Sequence, residues 1–273
     1  MITSYSRLSA YLRCPRQYSF RYIEDAPAEC TPLPLVFGTA IHDACDSYLE
    51  SLAYLPLDID EMMDRYDEAM GDAVKLAEFN EAPIDFEEET PQDLRSLARR
   101  MLEVFRKGVD PNLKVVQTEI PIELTVGGIV LGGYMDILID EGKDCYRIVD
   151  MKTSAKAMSQ DTIDYDHQPT IYLEAARRML GGPKSLKFEY WVLTKTKEPK
   201  FMKIEVARTA RDFAELEETI RDAQAGVEAC VFPRNRGWQC RGCQYAGKCK
   251  SPCGTRKPTQ VVGAGMREGG ASG

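Results

Sequence analysis

The chain has 273 residues, 44% hydrophobic and 29% charged, with a formal net charge of −8. That balance is ordinary for a soluble globular protein, with room for one sizeable domain carrying insertions or two small ones. No stretch has the length of a membrane span and the first residues lack the apolar core of a signal peptide, so a cytoplasmic location is expected; nine cysteines in a reducing compartment then point to metal ligation rather than to a disulfide framework.

Residues 3–23 read as a helix interrupted at Pro15, just after Cys14, and Pro27, Pro32 and Pro34 mark a loop. Phe37 to Tyr54 is amphipathic, with Phe37, Ile41, Ala44, Tyr48 and Leu52 on one face. His42 lies beside that stripe, one turn after Gly38; taken alone, such a histidine reads as structural or solvated. Residues 58–93 hold 14 Asp and Glu against Arg65 and Lys75, so the acid is concentrated in one insertion and the rest of the chain is net positive. Met62, Met63, Tyr66 and Met70 give the insertion a helical period, and it has no D-x-D-x-D-G calcium loop. Thr90-Pro91-Gln92-Asp93 opens a helix that Gly108 and Pro111 close.

Strands follow. Val116 to Val126 alternates apolar and polar residues, with Glu119 reading as a solvated strand residue and Pro121 suggesting an edge position. Gly127-Gly128 turns the chain into Ile129 to Ile139, and Asp140 to Asp144 turns it again into Cys145 to Lys152, a three-strand meander. Gln168 to Leu180 is helical, Leu186 to Thr194 a strand after a crossover, Lys200 to Ala207 another strand, and Thr209 with Asp212 caps a helix running to Cys230.

Two features carry chemistry. In Tyr146-Arg-Ile-Val-Asp150-Met-Lys152 the carboxylate and the ammonium share one face, because strand side chains alternate with period two. With Asp136 one strand away, they form a candidate site for a divalent metal and phosphate. The second feature is Cys240-x2-Cys243-x5-Cys249, three thiols in one short loop. A closed site needs a fourth ligand, for which Cys253 and Cys14 both qualify; only one C-x2-C knuckle is present, which favours an iron–sulfur cluster over the alternative, zinc. From Pro233 to Thr259 there are seven Lys or Arg and no acid, and Arg7, Arg13, Arg16 and Arg21 add positive charge at the other end, as a nucleic-acid groove requires.

These motifs, in this order, resemble the RecB-like branch of the PD-(D/E)XK nucleases, in particular the CRISPR-associated RecB-like exonucleases and their phage relatives with an iron–sulfur cluster. The resemblance covers most of the chain. Ser4 to Leu8 leading to Tyr11 to Tyr18 is similar to the family's N-terminal motif with the first cluster cysteine. Gly38 to His42 is similar to G-x-x-x-H, Gly133 to Asp136 to G-x-x-D, Asp150-Met151-Lys152 to (D/E)-x-K, Gln168 to Tyr172 to Q-x-x-x-Y, and Cys240, Cys243 and Cys249 to the C-terminal triplet.

The resemblance implies an α/β fold: a restriction-endonuclease-like core, with a mixed central sheet, an antiparallel three-strand meander and flanking helices, joined to a helical insertion and a cysteine-ligated iron–sulfur region. Residues 1–30 would carry the first cluster cysteine, 31–110 the histidine and the acidic insertion, 111–230 the nuclease core, 231–254 the cysteine cluster and 255–273 a disordered tail. It implies Mg²⁺ or Mn²⁺ held by His42, Asp136, Asp150 and the carbonyl of Met151. Catalysis would fall to Asp136, Asp150 and Lys152, supported by Gln168 and Tyr172. A 4Fe–4S cluster would sit on Cys14, Cys240, Cys243 and Cys249. The expected activity is metal-dependent DNA exonuclease action on single-stranded or end-exposed DNA in recombination, repair or phage DNA processing. Possible roles for a partner fall to a helicase, recombinase or CRISPR adaptation protein, since the chain carries no G-x-x-x-x-G-K-[ST] loop of its own. The competing expectation is a non-catalytic nucleic-acid-binding scaffold or an endonuclease subunit.

Overall fold

A computed structural model describes residues 1–86 and 89–250. The expected residue 255–273 tail and Cys253 lie outside the described residues. Helices α1 (Tyr5–Arg13) and α2 (Pro15–Tyr22) meet at Cys14, where Pro15 starts the second helix without needing an amide hydrogen. Strand β1 (Thr31–Pro32) precedes α3 (Leu33–Ser51), then come α4 (Ile59–Phe79), β2 (Ile84–Asp85) and α5 (Pro91–Gly108). The meander is β3 (Val115–Val126), β4 (Ile129–Gly142) and β5 (Cys145–Ser154). Then follow α6 (Gln160–Asp164), α7 (Gln168–Met179), β6 (Ser185–Thr194), β7 (Phe201–Val206), α8 (Ala210–Glu228), a short 3-10 turn at Trp238–Cys240 and α9 (Ala246–Lys250).

The main sheet has the order β3-β4-β5-β6-β7, antiparallel throughout except for the parallel β5–β6 pair. That single parallel step follows from the α6–α7 crossover, because parallel neighbours need a long connection. Pro121 sits on the edge strand β3, where a missing backbone donor leaves no internal ladder gap. Gly127 and Gly128 both have positive φ (54° and 80°), the geometry of a two-residue hairpin turn that L side chains resist.

The two faces of the sheet are covered by different helices. On one, Leu138, Ile148, Phe188, Tyr190 and Val192 pack with α1, α7 and α8. On the other, Ile137, Val149, Met151, Trp191 and Leu193 pack with α3, α4 and α5. The middle of β5 and most of β6 are buried on both sides, and Asp150 and Glu189 are the carboxylates buried within them. Two expectations shift. Helix α3 begins at Leu33 rather than Phe37, since Pro34 fits its first turn, and α6 is a helix the sequence pattern does not announce because it has only five residues. No helix among the described residues is long and apolar enough to cross a membrane.

Candidate active site

Strands β4 and β5 run side by side with Ile137 opposite Val149, which places Asp136 and Asp150 on neighbouring rungs. Asp136 Oδ2 accepts the backbone N–H of Met151 at 2.8 Å, fixing the first carboxylate against the second strand. Asp150 is 1% exposed. Lys152 Nζ lies 2.6 Å from its Oδ2, an ion pair without hydrogen-bond alignment, so neither Asp150 oxygen has a hydrogen-bond partner. A buried carboxylate in that condition is costly. Burial pushes the Asp150 carboxyl up to about 7; the ammonium of Lys152 pulls it down, and Asp136 pushes it up again. Asp136 is raised for the same first reason, burial. Burial alone would lower Lys152, but Asp150 outweighs it and keeps the lysine charged.

Helix α7 supplies the support. Lys152 Nζ donates to Gln168 Oε1 at 2.8 Å, Gln168 Nε2 donates to Tyr172 Oη at 2.9 Å, and the Tyr172 hydroxyl donates to the carbonyl of Tyr134 at 2.6 Å. Residues four apart on a helix share a face, so Gln168 and Tyr172 act as one rod between the lysine and β4. Asp166, just before the helix, accepts the hydroxyls of Tyr5 (2.7 Å) and Tyr190 (2.6 Å). It also accepts the amide of Gln168 (2.9 Å), which locks the start of α7 to α1 and β6.

Helix α3 brings the other side of the site. His42 is held neutral: burial lowers its imidazole to about 4 against the upward pull of Asp150. It lines a cavity of about 420 Å³ with Thr39, Asp43, Asp46, Glu50 and Glu119. Asp46, one turn beyond His42, has a buried Oδ1 with no partner, and its carboxyl is pushed up to about 8 by burial and then by Asp136, Glu119, Glu50 and Asp43. Asp46 is absent from the expected site, although its i, i+4 spacing from His42 is readable in the sequence. Glu119 is exposed, as expected of a solvated strand residue, but its φ of 47° breaks the regular strand and it lines this acidic cavity.

Carboxylates with open lone pairs and a neutral imidazole suit a hard divalent cation, and the orphaned oxygens of Asp150 are an observation in favour of that fit. The expected shell of His42, Asp136, Asp150 and the Met151 carbonyl is nevertheless not drawn together: among the described residues no group of three or more His, Cys, Asp or Glu stands in an arrangement that could hold a metal ion. Asp150 Oδ2 is paired with Lys152 and Asp136 Oδ2 with the Met151 amide.

The cysteines converge from opposite ends of the chain. Cys14, Cys240, Cys243 and Cys249 line one cavity of about 80 Å³, and burial first, then the other three thiols, raises the Cys243 thiol. The two ends are also tied by backbone bonds: Arg16 N to Pro233 O (3.1 Å), Glu29 N to Gln244 O (2.8 Å), and the amides of Gly247 and Lys248 to the Glu29 carboxylate (2.7 and 2.6 Å). The basic ends therefore do meet, and Glu24 joins them by pairing with both Arg16 (3.0 Å) and Lys248 (3.3 Å). The four thiols likewise do not form an arrangement that could hold a single metal ion. Thiolates on one zinc lie within about 4 Å of one another, given Zn–S bonds of about 2.3 Å, whereas a cluster holds its ligands farther apart.

A profile of the PD-(D/E)XK nuclease superfamily matches residues 2–250. A comparison with curated proteins finds no match. Among solved structures, the one described as "Putative exonuclease" from Eubacterium rectale aligns with a TM-score of 0.55 and 16% identity, over 89% of this chain and 87% of its own. A second, SSO0001, aligns at 16% identity over 89% of this chain and 92% of its own, with a TM-score of 0.36. The first is similar in fold; the second is too distant to carry a structural argument.

Proposed function

The chain belongs to the PD-(D/E)XK nuclease superfamily, and from that premise we propose that it is a metal-dependent DNA exonuclease whose working residues are Asp136, Asp150 and Lys152. The observation that carries this reading is the buried Asp150 carboxylate, without a hydrogen bond, held 2.6 Å from a lysine that Gln168 also grips. A fold has no structural use for that arrangement, since a buried ion pair of this kind contributes little or nothing to stability. The exonuclease reading draws on the family resemblance and on the printed name of the Eubacterium rectale neighbour.

Mg²⁺ or Mn²⁺, held by His42, Asp136, Asp150 and the Met151 carbonyl, would supply Lewis-acid activation of the phosphate and of a bound water. The protein's own part is positioning. Lys152 presents a fixed positive charge where negative charge grows on the phosphate, and Gln168 with Tyr172 keeps it from swinging away. His42, kept neutral by burial, offers a lone pair rather than a proton. Cys14, Cys240, Cys243 and Cys249 would hold a 4Fe–4S cluster that closes the N-terminal segment onto the C-terminal one, a structural role. The cellular setting we propose is recombination, repair or phage DNA processing.

The test uses end-labelled single- and double-stranded DNA in one digestion series with Mn²⁺ or Mg²⁺. Progressive shortening from an end is expected. Absence of cleavage with either metal rejects the reading, and internal cuts in circular DNA turn it into an endonuclease.

A further inference from the structure

A groove of about 540 Å³ opens between α1, the segment leading into α7 and the loop that carries the 3-10 turn. Its walls include Tyr5, Arg13, Tyr165, Asp166, His167 and Trp238. Two of these are large aromatics left in solvent: Tyr165 is 76% exposed and Trp238 is 79% exposed. Large aromatic rings are usually spent on burial, and two in one groove next to a guanidinium form the type of surface on which unpaired bases stack.

The groove wall is bonded to the support of the lysine. Asp166 and His167 line it, and the next residue, Gln168, holds Lys152 Nζ. Tyr5 on the facing helix is bonded to Asp166, so the groove floor and the lysine support are one hydrogen-bonded unit. The groove's one lining carboxylate already accepts three hydrogen bonds, from Tyr5, Tyr190 and the Gln168 amide. His167 is lowered by burial, and Arg13 lies exposed at the rim. Asn235 and Gln239 line both this groove and the cysteine cavity, so the cysteine loop is the wall that presents Trp238.

We propose that this groove binds single-stranded DNA next to the scissile phosphate, with bases stacked on Tyr165 and Trp238 and the backbone drawn by Arg13. The proposal rests on the nuclease reading of the neighbouring site and adds the strand's path and the side chains, Tyr165, Trp238 and Arg13, that take its bases and backbone. It also gives the cysteine loop a task in substrate binding.

The chain contains two tryptophans, and Trp191 is fully buried and donates to Glu189 at 2.9 Å, so Trp238 is the reporter. The full-length protein is titrated in EDTA, where metal-dependent cleavage is off, with a single-stranded oligonucleotide of about twelve thymidines, a length within the range that such grooves cover. Tryptophan emission is read beside the anisotropy of a labelled copy. Quenching that saturates with binding is expected, and Trp238→Phe should remove it while keeping most of the affinity. Tyr165→Ala and Trp238→Ala should each weaken binding about tenfold, with circular dichroism unchanged because both side chains are exposed. A blunt duplex of the same sequence should quench weakly.

Binding without quenching, alanine variants that bind like the wild type, equal quenching by the duplex, or no binding at all would each overturn the proposal. The two readings separate cleanly. Active protein with a silent Trp238 keeps the nuclease and removes the groove; quenching in a protein that cuts no DNA keeps the groove and removes the nuclease.

Discussion

Lys152 Nζ stands 2.6 Å from Asp150 Oδ2 and 2.8 Å from Gln168 Oε1, so one ammonium links the deepest carboxylate of β5 to the first turn of α7. Replacing it by alanine removes the fixed charge facing the phosphate but leaves the strand ladder intact. We expect Lys152→Ala to retain its circular dichroism and to lose about 10²–10³-fold in cleavage rate, the range for removal of one preorganised charge-stabilising donor. Lys152→Arg should not restore it, because a planar fork cannot replace a compact ammonium between these two acceptors. Initial rates on end-labelled DNA with Mn²⁺ decide; wild-type cleavage by the alanine variant removes Lys152 from the mechanism.

Asp150 should also make the metal-free protein sensitive to pH. Its folded carboxyl is raised to about 7 from an ordinary 3.8, so between those values the folded state holds a proton that the unfolded state has released. Stability from this group therefore falls as pH rises from about 4 to about 7 and stays low above. Asp150→Asn, uncharged at every pH, lacks the effect. Thermal melts in EDTA should find the variant more stable than the wild type at pH 8 and similar to it at pH 4. His42, which burial lowers to about 4 against the upward pull of Asp150, titrates in the opposite sense, and losing the Asp150 charge lowers it further, so the comparison is read at pH 8, where the imidazole is neutral in both proteins. Added Mn²⁺ should raise the wild-type Tm at pH 8 and leave the variant nearly unmoved.

Much of this was legible because local rules coincide with the fold. The caps at Thr90 and Thr209, the Gly127-Gly128 turn and the alternation in β3 all specify their elements without tertiary help. The edge position of β3 follows from Pro121, and the parallel β5–β6 pair from the crossover. Asp150 and Lys152 were legible together, two residues apart on one face of a strand. What spacing could not supply was long-range: the C-x2-C loop leaves Cys14 and Cys253 equally open as partners, and only the family resemblance favoured Cys14, which shares its cavity. The positive φ of Glu119 was also invisible, because the alternating pattern of β3 reads as regular strand through that position.

The cysteine cavity makes a prediction that does not need activity. If Cys14 shares a cluster with Cys240, Cys243 and Cys249, the protein as purified anaerobically should be brown with broad absorbance near ~400 nm and contain iron and acid-labile sulfide. Cys14→Ser should lose colour and iron and melt at lower temperature, since the link between the two ends is gone. Colourless wild-type protein with stoichiometric zinc would mean that the cavity is a zinc site.

Tyr172 separates positioning from chemistry. Its hydroxyl donates to the Tyr134 carbonyl and accepts from Gln168, which fixes the amide so that its oxygen, not its nitrogen, faces Lys152. Tyr172→Phe leaves the buried Gln168 amide N–H and the Tyr134 carbonyl short of a partner, at a cost of about 1–3 kcal/mol in stability. The amide is then free to rotate and present its NH₂ to an ammonium. The expected result is a lower kcat with little change in KM, measured beside a thermal melt. A variant with unchanged kcat would show that Lys152 needs no orientation from α7.

Gly38 tests how α3 places His42 without touching any reacting group. A Cβ built there would lie 2.9 Å from the Thr153 hydroxyl on β5, closer than real contacts allow, and the residue is buried where the helix crosses the strand that carries Asp150 and Lys152. Only glycine lets the helix lie that close. His42 is one turn further along the same helix, so any shift that relieves the clash moves the imidazole away from Asp136 and Asp150. Gly38→Ala should therefore weaken Mn²⁺ binding, read by calorimetry, and lower cleavage in proportion. The alanine's better helix propensity, worth about 1 kcal/mol, limits the loss of stability. The double variant Gly38→Ala with Thr153→Ser should not relieve the clash, because serine keeps the hydroxyl, whereas Thr153→Ala should. Recovery of metal binding in Gly38→Ala/Thr153→Ala, and not in the serine pair, would establish that the glycine is there to seat the histidine.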